Sequence, residues 1–192
     1  MRRLLALTLT LLLALSPLSA LSESDSIATL ETLMDFIQRT LDSKDGLLYE
    51  RDAETYYFTL LYEAEDDRLG EIFAYLDVYP SGILVQASYY ADVPLERVDE
   101  TAKFMNLVNA DLLGGKYFIY AETGTIFYEV FLYRDFFDLN ALGAKEQNIL
   151  LDFLSFVVTE LDYDTEYFAE IISGETAENA YAMYIADMDR LD

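Results

Sequence analysis

Apolar residues recur at steps of three and four positions between Ser24 and Leu41, which is the spacing of one face of an α-helix. The repeating apolar positions are Ile27, Leu30, Leu33, Met34, Ile37 and Leu41. Asp45-Gly46 follows and supplies the residues of a turn. The pattern therefore predicts an amphipathic helix that ends before this turn.

After this helix the period changes to two, because apolar and polar positions alternate as they do in half-buried strands. Strands are predicted over residues 47–50, 55–63, 71–79 and 83–90. Pro80-Ser81-Gly82 lies between the last two and favours their antiparallel pairing. Further along, Glu122-Thr123-Gly124 joins two runs rich in Tyr, Phe, Ile and Val. These runs predict a hairpin over residues 116–121 and 125–133.

Helical patterns separate and follow these strands. Asp92 can cap a helix whose first turn tolerates Pro94, and this helix is predicted over residues 95–113, where Gly114-Gly115 ends it. Three more helices are predicted over residues 144–161, 163–172 and 177–188. Segregated runs of strands and helices indicate an α+β fold, with an antiparallel sheet of five to six strands packed with helices.

Both faces of the predicted sheet are apolar. Phe73 and Tyr75 lie opposite the aliphatic face of their strand, and Phe127 and Phe131 lie opposite a second apolar face of theirs. Either helices cover both faces, the interpretation we favour, or one aromatic face binds a partner or a second copy. Tyrosine, of which the chain has 16, is enriched at protein interfaces. Phe73, Tyr75, Phe127 and Phe131 are therefore candidate binding residues.

The N-terminus has the layout of a secretory signal peptide. Arg2-Arg3 precedes an apolar run from Leu4 to Leu15, and small residues follow. About a dozen apolar residues fall short of the roughly 20 that cross a bilayer, so we expect cleavage after Ala20 or Ser22 and no membrane span afterwards. The chain is then divided into a signal peptide over 1–22 and one domain over 23–192, exported to the periplasm or the medium.

The charge and composition narrow the range of partners. The formal net charge is −24, which disfavours binding to nucleic acid or to anionic lipid surfaces. Cysteine is absent, and 53% of the residues are hydrophobic, so the core has to stabilise the domain without disulfides. We therefore expect the chain to bind a protein partner or to associate with itself.

Catalytic and metal-binding patterns are scarce. Histidine and cysteine are both absent, which excludes Ser-His-Asp and Cys-His catalysis and Cys/His zinc sites. No glycine-rich phosphate loop is present, so we predict no cofactor and no enzymatic activity. A hydrolase that uses two carboxylates stays open as the least favoured alternative, and it would need a cleft that holds two acids.

Two acidic runs, 63–67 and 162–166, raise the alternative of a calcium-responsive module. In an EF-hand starting at Asp162, the sixth position would be glycine and the twelfth glutamate. The sequence has Tyr167 and Ser173 there, so that pattern fails. Solvated acidic turns are the simpler interpretation.

The stretch Thr101–Ala180 contains two motifs that resemble those of a known family. The first is the helical run Phe104-Met105-Asn106-Leu107-Val108-Asn109, with two asparagines three apart, followed by a hairpin that starts at Gly115-Lys116-Tyr117. The second is the run from Ser173 to Ala180, which resembles a C-terminal helix entry. With these motifs the stretch resembles the YbjN-like family, described as bacterial sensory transduction regulators. Asn106 and Asn109 are accordingly candidate binding residues, although asparagines near a helix end more often satisfy backbone groups.

The resemblance implies a non-enzymatic domain with a fold like that of type III secretion chaperones, which bind other proteins and often dimerise. Many such domains are cytoplasmic, whereas this chain begins with an export signal. A protein-binding or chaperone-like domain with an unknown partner is therefore the function that the sequence favours.

Overall fold

The first predicted helix is present as α1, Glu23–Asp42. The computed structural model describes residues 23–52, 54–112 and 114–188, so the predicted signal peptide lies outside the described residues. Leu33, Ile37 and Leu41 repeat along one face of α1 and are almost fully buried. Burial of this face, more than intrinsic propensity, stabilises such a helix.

Six antiparallel strands form one sheet in the order β1-β2-β3-β4-β6-β5. They are β1 Leu48–Asp52, β2 Tyr57–Tyr62, β3 Ile72–Tyr79, β4 Gly82–Tyr89, β5 Lys116–Tyr120 and β6 Thr125–Tyr133. The predicted α+β class and the antiparallel sheet of five to six strands are confirmed. Tyr79 pairs with Gly82, so Pro80-Ser81 is the turn of the β3–β4 hairpin.

In the last hairpin the second strand, β6, lies nearer the centre of the sheet than the first strand, β5. β6 pairs with β4 on one side and with β5 on the other. β5 is therefore an edge strand although it precedes β6 in the chain. The connection from β4 to this hairpin contains a helix, which packs on β5 and on the last helix of the chain.

The remaining helices are α2 Val98–Asn109, α3 Ala144–Tyr163, α4 Thr165–Ser173 and α5 Ala177–Met188. Among the residues described, no helix combines the length and the apolar character needed to cross a membrane. The helix predicted over 95–113 is shorter at both ends, because Leu95–Arg97 forms a 3-10 turn and α2 ends at Asn109. Asp92 does not cap it. The Thr125 hydroxyl donates to the Asp92 Oδ1 at 2.6 Å, so a tertiary contact replaces the predicted cap.

One face of the sheet carries the core. Its fully or nearly fully buried residues on the two central strands are Ile72, Ala74, Leu76, Val78, Ile83, Val85, Ala87 and Tyr89. They form one cluster with buried helical residues such as Leu33, Leu154 and Phe168. The alternate residues of β3 are half-buried or exposed. Our expectation that helices cover both faces is therefore wrong for the part of the chain that the structure describes.

Gly115 offers a direct test of the turn before β5. Its φ is +73°, and an added Cβ would lie 2.5 Å from Tyr128 Cζ and 2.9 Å from Val130 Cγ2. We expect Gly115→Ala to lower the free energy of unfolding by about 2 kcal/mol, from strain and overpacking. Gly114→Ala is the matched control, because a Cβ there meets nothing within 4 Å. Urea denaturation followed by circular dichroism measures both, and equal effects would contradict this account.

Candidate functional site

The uncovered side of the sheet, which carries Phe73 and Tyr75, is called the open face here. Strand register places one residue from each of the six strands in a continuous row across it. We call this the apolar row, and its members are Leu48, Leu61, Phe73, Ser88, Phe127 and Phe118. Strands lie about 4.8 Å apart, so the row is roughly 24 Å long.

Ser88 is the polar member of the apolar row, and neighbouring rings cover it. The rings of Tyr75 and Phe127 come from the strands on either side of β4, and their centroids lie 6.0 Å apart. Ser88 is 1% exposed, and its Oγ lies 3.2 Å from the Tyr75 hydroxyl. The small residue therefore lets the rings from both sides meet, and the row is continuous.

A polar row runs beside the apolar row. Its members in register are Glu50, Thr59, Tyr75, Gln86, Glu129 and Lys116. Gln86 Nε2 donates to Glu129 Oε2 at 2.9 Å, and Lys116 Nζ lies 2.9 Å from Glu129 Oε1. The open face is thus amphipathic, with an apolar stripe and a polar stripe that run across the strands.

The rings of the open face hold one another in place. Phe118 and Phe127 stack with centroids 5.1 Å apart, and Tyr120 meets Phe127 edge-on at 5.4 Å. Tyr120 is nevertheless 56% exposed and Tyr90 is 70% exposed. Packed aromatic rings lose little further entropy when a partner binds, and tyrosine adds a hydrogen-bonding tip. This arrangement is suited to non-covalent binding of a large surface.

The four aromatic candidates from the sequence all lie on the open face. Phe73 and Phe127 are in the apolar row, Tyr75 is in the polar row, and Phe131 lies in the next row, 6.3 Å from the ring of Tyr79. The alternating pattern was sufficient to place them together on one side. It did not show which side the helices cover.

The two asparagine candidates lie on α2, away from the open face. Asn109 Nδ2 donates to the Tyr117 backbone carbonyl at 2.9 Å, and its Oδ1 accepts from the Tyr117 backbone N–H at 2.7 Å. It therefore pairs with the backbone of the edge strand β5 as a neighbouring strand would. Asn106 is exposed. The geometry gives Asn109 a structural role.

The two acidic runs meet without forming a metal centre. The Glu65 backbone N–H donates to both carboxylate oxygens of Asp162, at 3.1 and 3.2 Å. Within the described ranges, no group of three or more acidic side chains could hold a metal ion. The contact between the runs is accordingly a loop-to-helix hydrogen bond.

Asp164 lies between α3 and α4 and is a buried carboxyl that sequence reasoning assigned to a solvated turn. It is 2% exposed and accepts a hydrogen bond at 2.6 Å from the Tyr117 hydroxyl. It makes no side-chain cap to the first turn of α4. The hydroxyl of Tyr89, also buried, donates to the Leu161 carbonyl at 2.5 Å. Tyrosines from two strands thus approach the α3–α4 junction from the sheet.

Burial raises the pKa of Asp164 to about 7, the Tyr117 hydrogen bond opposes this, and the nearby Glu160 carboxyl raises it further. Burial also raises the pKa of Glu160. Desolvation disfavours the charged form of a carboxyl, and a second acid one helical turn away adds repulsion. Both carboxyls therefore bind a proton more tightly than carboxyls in water do.

Glu160 and Asp164 also bear on the hydrolase alternative, because both line one cavity. They come from the same helix end, four residues apart, and so lie on one wall. Glycoside hydrolysis uses two carboxyls that flank the scissile bond from opposite sides. Their placement favours binding over that reaction.

No model of a known protein family matches the chain, and none of the curated proteins matches it.

The asparagine pair supplies a test of the β5 anchor. Asn109→Ala removes two hydrogen bonds to one strand, and we expect it to lower the free energy of unfolding by about 2 kcal/mol. Asn106→Ala, on the same helix and exposed, should change it by less than about 0.5 kcal/mol. Chemical denaturation of both variants measures the difference. Equal stabilities would show that the Asn109 contacts contribute nothing net.

Asp164 predicts an unusual dependence of stability on pH. Its folded-state pKa of about 7 lies above the ordinary value of 3.8, so the folded state binds the proton more tightly than the unfolded chain. The resulting stabilisation is complete below about pH 4 and is lost as the pH rises through about 7. We expect Asp164→Asn to abolish this loss, which is on the order of 4 kcal/mol.

Asp152→Asn on the exposed side of α3 is the control for this experiment, because it removes one negative charge without touching the buried site. Denaturation at pH values between about 4 and 8 compares the three proteins. The difference in the free energy of unfolding between wild type and Asp164→Asn should change with pH. The corresponding difference between wild type and Asp152→Asn should stay nearly constant. A constant difference for Asp164→Asn would mean that Asp164 does not titrate in this range.

Proposed function

We propose that this chain is an exported protein-binding domain that binds a partner through its open face. The apolar row carries the proposal, because five of its six residues in register are apolar and the rings of Tyr75 and Phe127 meet beside the sixth, the buried Ser88. Exposed contiguous apolar surface on a folded domain commonly marks a binding surface. Export is inferred from the charge and length pattern of the N-terminal segment.

The chemistry of the open face supports a protein as the ligand. Aromatic residues are enriched where protein interfaces derive most of their binding energy. The rim tyrosines, Tyr120 and Tyr133, are 56% and 61% exposed and offer both ring area and a hydroxyl. The apolar row, roughly 24 Å long, matches about 16 residues of a helix. An amphipathic helix laid across the strands is one partner geometry of that size.

Binding through the face is favoured over binding through a sheet edge. The edge strand β1 carries Glu50, Arg51 and Asp52, all exposed. Charged residues on an edge strand discourage the addition of another strand. The apolar surface available for binding therefore lies on the open face and not on the β1 edge.

The charge of the chain favours a basic or neutral partner over a second copy. Each copy carries a formal charge of −24, and like charges oppose association. The resemblance to YbjN-like domains supports a chaperone-like role, in which an apolar segment of another protein is held. Self-association is the competing outcome, and the experiment below separates the two.

The test compares partner capture from the host by three forms of the mature chain. Leu48→Ser with Tyr120→Ser removes exposed side chains, 69% and 56% accessible, from opposite ends of the open face. Leu95→Ser with Met183→Ser removes exposed apolar side chains from outside it. We expect wild type and the control to recover the same partner, and the open-face variant to bind it at least about tenfold more weakly.

The recovered partner is then titrated against each purified form, and sedimentation velocity reports self-association of the chain alone. Equal affinity of all three forms would exclude the open face as the binding surface. A wild-type dimer that the open-face variant loses, with no partner recovered, would replace the proposed partner with a second copy.

A further inference from the structure

A cavity lies in the helical layer, on the other side of the sheet from the open face. It is open to solvent on one side, has a volume of about 430 Å³, and is bordered by α3, α5 and the residues Asp111, Leu112 and Gly114. The lining residues that matter here are Leu112, Phe156, Glu160, Tyr163, Asp164 and Tyr184. The volume falls in the range of sites that bind small molecules.

The cavity wall is negatively charged. Asp111, Glu160 and Asp164 all line it, and the described lining includes no lysine or arginine. Asp164 is 2% exposed and is thus the most buried of these three acids. A buried carboxylate without a cationic partner is costly, and a bound cation would offset that cost.

The remaining wall is aromatic and aliphatic. Phe156 and Tyr163 are 40% and 46% exposed, and Tyr184 is 5% exposed. Aromatic faces attract ammonium groups, and alkyl chains pack against the same rings. A hard metal ion requires several oxygen ligands at once, and the described residues provide no such group. Carboxylates combined with aromatic walls therefore match an organic cation better than a metal.

We propose that this cavity binds a small organic ammonium compound, with its charged group beside Glu160 and Asp164. The alkyl part lies against Leu112 and Phe156, on the apolar wall. The inference is independent of the open face, because no residue of the apolar row lines the cavity.

Binding at this site depends on the protonation of its acids. The groups that face Asp164 from the elements packed around it are Tyr89 of β4, Tyr117 of β5, Tyr128 of β6, Glu160 of α3 and Tyr184 of α5. Burial raises the pKa of each tyrosine, so all four stay neutral near pH 7. The charge of the cavity near neutral pH is therefore set by its carboxyls.

Isothermal titration calorimetry with 1,4-diaminobutane tests the proposal, and 1,4-butanediol serves as the neutral analogue. We expect one diamine site per chain, no diol binding, and about tenfold tighter diamine binding at pH 8 than at pH 6, because the ionised fraction of a group that titrates near pH 7 rises by about that factor. Nα-acetyl-lysine amide presents the same ammonium on an amino acid. Its failure to bind restricts the site to small amines that are not part of an amino acid, and its binding extends the site to lysine ammonium groups on peptides.

Three variants locate the site. Glu160→Gln and Asp164→Asn should each weaken diamine binding about tenfold, while Asp152→Asn should leave it unchanged. Glu160 is only partly buried, so Glu160→Gln remains informative if Asp164→Asn alters folding as judged by circular dichroism. The proposal is overturned if wild type binds no diamine, if the diol binds equally well, or if Asp152→Asn weakens binding as much as Glu160→Gln. Calcium that competes with the diamine at equal concentration would also overturn it.

Discussion

One-sided burial of the sheet is the constraint on which the rest of this structure depends. Because side chains alternate across a strand, burying Ile72 and Ala74 under the helices leaves Phe73 and Tyr75 on the other side. Those rings have no helix to pack against among the described residues, so they pack against one another along β3 and against rings of the neighbouring strands. The open face is therefore only partly withdrawn from water, and this partial exposure is the physical basis for the proposal that it binds a partner.

Much of the fold follows from local pattern, and the parts that do not are long-range. The β3–β4 hairpin was predictable because Pro80-Ser81 is short and the flanking strands alternate cleanly. The insertion of β6 between β4 and β5 was not, since strand order depends on pairings between residues as far apart as Gly82 and Tyr133. The same limit applies to the choice of covered face, because both faces of β3 and β6 carry large apolar side chains.

Among the candidate site residues, too, those placed by local pattern were predictable and those placed by long-range contacts were not. Period-two alternation was enough to group Phe73, Tyr75, Phe127 and Phe131 on one surface. Asp164 could not be recognised, since an acid in the run Asp162–Glu166 looks solvated until Tyr117 and Tyr89 are brought to it from the sheet. The sequence pattern predicted that the helix after β4 continues to residue 113, whereas this helix, α2, ends at Asn109. The reason is again a long-range contact, because the Asn109 side chain hydrogen-bonds to the backbone of β5.

The edge strand β5 links the two surfaces of the domain. Tyr117 points to the helical side, where its hydroxyl donates to Asp164, and its neighbour Phe118 points to the open face and stacks on Phe127. Asn109 fixes the backbone between these contacts. Adjacent residues of β5 therefore serve the two sides of the sheet. Tyr117 supplies a hydrogen bond to a buried carboxyl whose pKa burial raises to about 7, and Phe118 ends the apolar row.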